Sequence, residues 1–191
     1  MTGIVVVSGL PRSGTSLIMQ MLRAVGIPLL TDEARSSDES NRHGYFEWEP
    51  IKQLARNPQL IAEAEGKAVK VISFHLVSLP AGFNYRVIFM ERDLSEIAAS
   101  QRLMIARLGA QGSSLPEEQT VQALTAHYKQ VNAWITSHPD LPVLRVQHRE
   151  LMTDASRQSA RVADFLGLDG QESDSMASQV DLSQWRNRVG R

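Results

Sequence analysis

The sequence contains no cysteine, which excludes disulfides, thiolate metal sites and a cysteine nucleophile. It also lacks an excess of positive charge. Twenty Lys and Arg stand against 21 Asp and Glu, for a formal net charge of -1, so a dedicated nucleic-acid binder is not expected. Long hydrophobic runs are missing too. The longest near the start, Ile4–Val7, is far too short to span a bilayer, and no basic segment precedes it. These absences lead us to expect a soluble, cytoplasmic protein without nucleic-acid or membrane partners. At 191 residues with 42% hydrophobic and 21% charged residues, the chain suits one domain with a sizeable core. A local basic pocket built from Arg12, Arg92 and Arg102 remains compatible with that balance.

What is present is an alternating pattern. Ile4–Val7 is a β-branched run that stops at Ser8-Gly9, as in a buried parallel strand. Leu17, Ile18, Met21, Leu22 and Val25 recur at helical spacing until Gly26 and Pro28 end the helix. Residues 31–44 are polar and turn-rich, and Tyr45 to Glu65 reads as helix in pieces, broken at Asn57-Pro58. Further strands are expected at Lys67–Ser73, Tyr85–Met90 and Pro142–Val146. Helices are expected from Asp93 to about Leu108, over Glu117–Thr136, and over Asp154–Leu166, closing at Gly167. Strands alternating with helices imply a mostly parallel central sheet covered on both faces, a three-layer α/β/α domain spanning 1–191. Within it, residues 31–66 are expected to form an insertion. Residues 170–191 read as a tail, polar until Trp185 and open to being mobile.

The strongest local signal is Gly9-Leu10-Pro11-Arg12-Ser13-Gly14-Thr15-Ser16, between the first strand and the first helix. Two glycines let the backbone curl so that successive N–H groups face one concavity, and the helix start adds donors and a positive dipole end. A phosphate dianion is the natural occupant. Ser13, Thr15 and Ser16 add hydroxyls and Arg12 adds charge. The glycine spacing is that of a Walker A loop, but Thr15 stands where its lysine would be. Arg92 follows the strand-like run Tyr85–Glu91, and Ser100 falls eight positions later on the following helix.

These segments resemble the sulfotransferase family, which uses 3′-phosphoadenosine-5′-phosphosulfate (PAPS). Pro11-Arg12-Ser13-Gly14-Thr15-Ser16 matches the family's 5′-phosphosulfate loop, and the Arg92/Ser100 pair matches its 3′-phosphate site. Residues 143–151 and 161–168 resemble the family's later strand, turn and Phe-Leu-Gly helix end. The resemblance implies a small bacterial-type sulfotransferase on a P-loop nucleoside triphosphate hydrolase-like fold. PAPS would be its co-substrate, no metal is expected, and the acceptor would be a small molecule or glycan carrying a hydroxyl or amine. The resemblance would put the 31–66 insertion on the acceptor side. Pro11, Arg12, Ser13, Gly14, Thr15, Ser16, Arg92 and Ser100 are then the expected nucleotide-binding residues. Arg12 doubles as the cation at the leaving phosphate.

For the general base, Glu47, an acid among Tyr45, Phe46 and Trp48, ranks first and His75 second, with Glu33 a third candidate. The family's Lys-Thr-His segment is only partly matched by Lys70-Val71-Ile72-Ser73-Phe74-His75. His127, His138 and His148 share no ligand spacing, so no zinc is expected, although Glu91 is an acid of the kind that could face a metal. Trp134, Trp185, Met19, Met21 and Met104 read as packing. A small-molecule or nucleotide kinase or NTPase, and a non-catalytic nucleotide-binding protein, are the alternative readings. A homodimer stays open, because nothing in the sequence reads on oligomeric state.

Overall fold

The computed structural model describes residues 3–32, 44–107 and 116–185. Five strands, β1 (Ile4–Gly9), β2 (Leu29–Leu30), β3 (Ala68–Lys70), β4 (Tyr85–Glu91) and β5 (Val143–Gln147), form one sheet in the order β2-β3-β1-β4-β5. Every pairing is parallel. The β-branched runs are buried on both faces, as a parallel sheet requires. Period-2 alternation then sends Val5, Val7, Ile88 and Met90 to one side, and Ile4, Val6, Val87 and Phe89 to the other.

Each face is covered by a different set of helices. On the first lie α1 (Thr15–Ala24), α5 (His148–Thr153), α6 (Ala155–Leu166) and α7 (Gly170–Ala177), contributing Ile18, Met21, Leu151, Val162 and Met176. On the second lie α4 (Glu117–Thr136), through Val131 and Ile135, α2 (Ser73–Leu76), through Leu76, and two 3₁₀ helices, Glu49–Gln53 and Pro58–Ala64. Helix α3 (Leu94–Arg107) packs with α4 around Leu10 through Ile97, Ala98 and Leu124. Because β1 is central and its two neighbours lead to opposite edges, the strand order reverses there. The crevice beyond the carboxyl end of β1 is where such sheets place ligands.

Three expectations change. The strand expected over Lys67–Ser73 is only Ala68–Lys70, because Val71 already leaves the sheet and Ser73 begins a turn of helix. Two strand-like leucines, 29 and 30, form a two-residue edge strand that Pro28 and brevity conceal from pattern reading. The stretch after Gly170 starts with a helix, not a tail. Asp169 caps it by accepting from the N–H groups of Gln171 and Glu172, and Glu172 returns a bond to the Asp169 N–H. Trp185, beyond it, is buried. The expected loop at 109–116 and Glu33 lie almost wholly or wholly outside the described residues.

Among the described residues no helix is long and apolar enough to cross a membrane.

Candidate nucleotide and acceptor site

The loop between β1 and α1 takes a conformation only its residue types permit. Gly9, Arg12 and Gly14 all have positive φ, at 147°, 71° and 107°. A Cβ on Gly9 would meet the Met90 carbonyl oxygen at 2.6 Å, and one on Gly14 would meet the His148 ring at 2.9 Å. The backbone therefore curls against β4 and α5 with no room for side chains. No side chain caps the start of α1, where Gly14 is the N-cap residue. Ser13 and Thr15 are buried, and the Ser13 hydroxyl has no hydrogen-bond partner. A cradle of this kind, with helix-start N–H groups and hydroxyls, fits a phosphate or phosphosulfate.

The second anion-binding set lies against the first. Arg12 Nε donates to Ser100 Oγ at 3.0 Å, and Arg92 Nη1 donates to the Arg12 carbonyl at 3.2 Å. The two segments, some 80 residues apart in sequence, thus share one rim. Arg92 also donates through Nε to Glu96 Oε2 at 2.9 Å, and both side chains are nearly buried, at 10% and 3% exposed. Sequence alone offers a surface ion pair with Asp93 or Glu96 as the alternative for Arg92. The structure makes that pair an interior one, and Trp185 Nε1 donates to the same carboxylate at 3.1 Å. Burial lowers the Arg92 pKa from its ordinary value, and Glu96 offsets part of the effect. Beside Arg92 opens a cavity of about 390 Å³ lined by Glu96, Tyr128, Gln147 and Arg149 among others, within the size range of small-ligand sites.

Glu91 does not face that cavity as a free acid. Its two oxygens accept from Tyr128 at 2.6 Å, Arg145 at 2.6 Å and Gln147 at 2.5 Å. Three donors on α4 and β5 thus occupy three of the roughly four acceptor sites of its carboxylate. Arg102, at the far side of α3, is held in an exposed pair with Glu117.

A residue not singled out from the sequence completes the loop. Lys70, only 5% exposed at the end of β3, donates to Ser16 Oγ at 2.9 Å and to the Tyr45 carbonyl. The loop lacks a Walker lysine, but a lysine from the neighbouring strand reaches it. The readable signal was a lysine closing a fully buried strand, which must find polar partners. His148 was also underrated. Its ring lies under Gly14, its Nδ1 has no partner, and burial, then the charge of Arg92, pushes its pKa down to about 3.

The expected bases lie on the segments that flank β3. Tyr45, Phe46 and Trp48 are buried packing, and Glu47 among them is half-buried. The Glu47 carbonyl accepts from the Thr31 hydroxyl and the Asp32 N–H. His75 is not at a strand end. It lies in α2, where burial and the charge of Lys52 lower its pKa. His127 shares a hydrogen bond of 2.9 Å with Ser73, and His138 approaches the Trp134 carbonyl at 2.7 Å, so the histidines remain dispersed. Met19 and Met21 are core, as expected, and Trp134 packs against the second face.

A central parallel sheet with a phosphate-cradling loop at its switch point defines a nucleotide-binding α/β protein. Residues 3–188 match the sulfotransferase domain family, and the chain belongs to that family. Its fold is shared with solved sulfotransferases. A mouse sulfotransferase complexed with PAP is 17% identical, with a TM-score of 0.55, covering 98% of this chain and 66% of that one. Retinol dehydratase in complex with androsterone and inactive cofactor PAP is 16% identical, with a TM-score of 0.59, covering 94% and 64%. A sulfotransferase from Mycobacterium avium is 12% identical, with a TM-score of 0.56, covering 93% and 67%. This chain therefore spans about two thirds of the length of these structures. No curated protein matches the sequence.

Proposed function

We propose that this protein transfers a sulfonyl group from PAPS to a hydroxyl or amine of a small-molecule or glycan acceptor, and that it does so in the cytoplasm. The observation that carries the reading is the Arg92–Arg12–Ser100 connection, which joins the two phosphate-binding segments on one rim. The loop N–H groups with Ser13, Thr15 and Ser16 would hold the 5′-phosphosulfate end, and Arg92 with Ser100 the 3′-phosphate. Pro11 and Gly14 shape the loop. Bound PAPS would supply an electrophilic sulfonyl group on a phosphate leaving group.

The chain's own part is charge stabilisation and proton removal. Negative charge grows on the leaving phosphate, so a fixed cation beside it lowers the barrier more than it tightens the ground state. Arg12 is one such cation, but its Nε is turned to Ser100, while the Lys70 ammonium lies on Ser16 of the loop. We therefore assign Lys70 to the 5′ side and Arg12 to the bridge between the two anion sites. Glu47 and His75 remain sequence-derived candidates for the acceptor's proton.

Lys70 on Ser16 also favours one other reading, phosphoryl transfer, in which a lysine at the loop would contact a nucleoside triphosphate. Calorimetric titration separates them. PAP should bind without metal and more tightly than ATP with or without magnesium; preferential binding of ATP with magnesium would make the kinase reading the better one.

A further inference from the structure

Outside the expected site residues, Ser73, Phe74 and His127 form a cluster that holds an unassigned imidazole.

The segment between β3 and α2 touches two walls of the crevice within four residues. At one end Lys70 reaches Ser16 of the loop, and at the other Ser73 meets His127 Nε2 at 2.9 Å. His127 lies on α4 three residues after Leu124, which packs on Leu10 of the same loop. His127 also directly precedes Tyr128, which lines the cavity beside Arg92 and donates to Glu91 at the carboxyl end of β4. The Phe74 ring stacks on its imidazole, with centroids 4.0 Å apart and planes 16° from parallel. Phe74 is itself 51% exposed, so the stack lies at the protein surface. Ser73 fixes one ring nitrogen and Phe74 fixes the ring plane. Nδ1, the remaining nitrogen, has no hydrogen-bond partner among the described residues.

Resting on the sulfotransferase reading, we propose that His127 Nδ1 takes the acceptor's proton, with Ser73 and Phe74 as positioning residues. The Nε2–H donates to Ser73 Oγ, which leaves the Nδ1 lone pair facing the acceptor. As the acceptor oxygen or nitrogen bonds to sulfur, its own bond to hydrogen breaks and the proton passes to Nδ1. The electron pair of the broken sulfur–oxygen bond stays on the donor's phosphate. The resulting imidazolium keeps its bond to Ser73 and gains the face of the Phe74 ring. Burial alone lowers the His127 pKa, so the ring starts neutral at neutral pH. His75 is placed less favourably, since it lies in the field of Lys52.

The test combines nitrogen NMR of the histidine-labelled protein at pH 8 with PAP calorimetry and transfer from PAPS to 2-naphthol, octan-1-ol and octylamine as probes. His127→Gln assigns the ring signals. The expected result is an Nε2–H tautomer at His127, PAP affinity within twofold of the unsubstituted protein in His127→Gln, and a fall in transfer of a hundredfold or more, the usual scale of general-base loss. Ser73→Ala should mix the tautomers and lower transfer without altering PAP affinity. An Nδ1–H tautomer overturns the proposal, as does unchanged transfer in His127→Gln, or loss of PAP affinity together with a lower melting temperature. Where no probe turns over, the tautomer decides. Failure of the unsubstituted protein to bind PAP would instead remove the donor reading, a separate outcome.

Discussion

The two sides of the crevice are built by different means. The proposed nucleotide side, from Gly9 to Ser16 with Arg92 and Ser100, is made mostly of backbone: positive-φ turns, a helix start, and glycines pressed against Met90 and His148. The proposed acceptor side, from Gly44 to Val77 with α4, is made of side chains meeting across 3₁₀ turns and a short helix, such as Ser73 with His127 and Lys70 with Tyr45. Backbone geometry leaves a local trace in sequence, because particular φ values demand particular residues. Side-chain meetings between distant segments leave almost none.

That contrast can be broken or sharpened by substitution. The largest effect is expected at Lys70, where the two sides join. Lys70→Met keeps the buried volume but removes the cation on Ser16, and transfer should fall a hundredfold or more, about 2.7 kcal/mol, with the circular dichroism spectrum unchanged; retained turnover would free the 5′ side of any need for Lys70. Arg92→Ala should weaken PAP binding by about 1.5–3 kcal/mol, the scale of a hydrogen bond to a charged group, read by calorimetry. Unchanged affinity would mean that Arg92 serves only Glu96 and Trp185. Arg12→Ala should lower turnover at least tenfold, about 1.4 kcal/mol, while the protein stays folded; full activity would remove Arg12 from the mechanism.

A pH experiment probes the floor under the loop. Histidine 148 is held neutral, with a pKa near 3 in the fold against an ordinary 6.5. Between those values the unfolded chain binds the proton and the folded chain does not. Its contribution to stability is therefore whole above pH 6.5 and is lost as pH falls toward 3, at about 1.4 kcal/mol per pH unit once below the unfolded value. Urea midpoints measured from pH 7 to 5 should decline with that slope, and His148→Phe should flatten it. The smallest effect belongs to the acceptor side. Asp32 accepts from the Glu49 N–H at 2.6 Å on the surface, so Asp32→Ala should cost about 1 kcal/mol of stability and leave PAP affinity untouched. A loss of PAP binding there would blur the division between the two sides.

How much could be read beforehand follows the same division. Ile4–Val7 with Ser8-Gly9 announced the central strand, and the helical spacing of Leu124, Val131 and Ile135 announced α4, because burial on a regular element repeats with a fixed period. The curled loop was legible for a similar reason, since its glycines are local, whereas the Arg92/Ser100 offset stood out only through the family resemblance. The short helix at Ser73–Leu76 escaped because four residues are too few for a period, and Val71-Ile72 continued the strand pattern past its end. The α7 helix escaped because its hydrophobic face is nearly the single buried side chain of Met176, although the Asp169/Glu172 capping pair was there to be noticed.

The sequence by itself determined the alternation of strand and helix, the curled phosphate loop and the candidate anion-binding residues, since all of these depend on residue type within a few positions. Only the tertiary structure decided that Arg12 turns to Ser100, that Lys70 supplies the cation at Ser16, that Arg92 is paired inside with Glu96, and that Ser73 holds His127. Those contacts join segments separated by four to 88 residues, and most cross from one element to another. Their geometry is set by how the layers pack, a property no single stretch of chain carries.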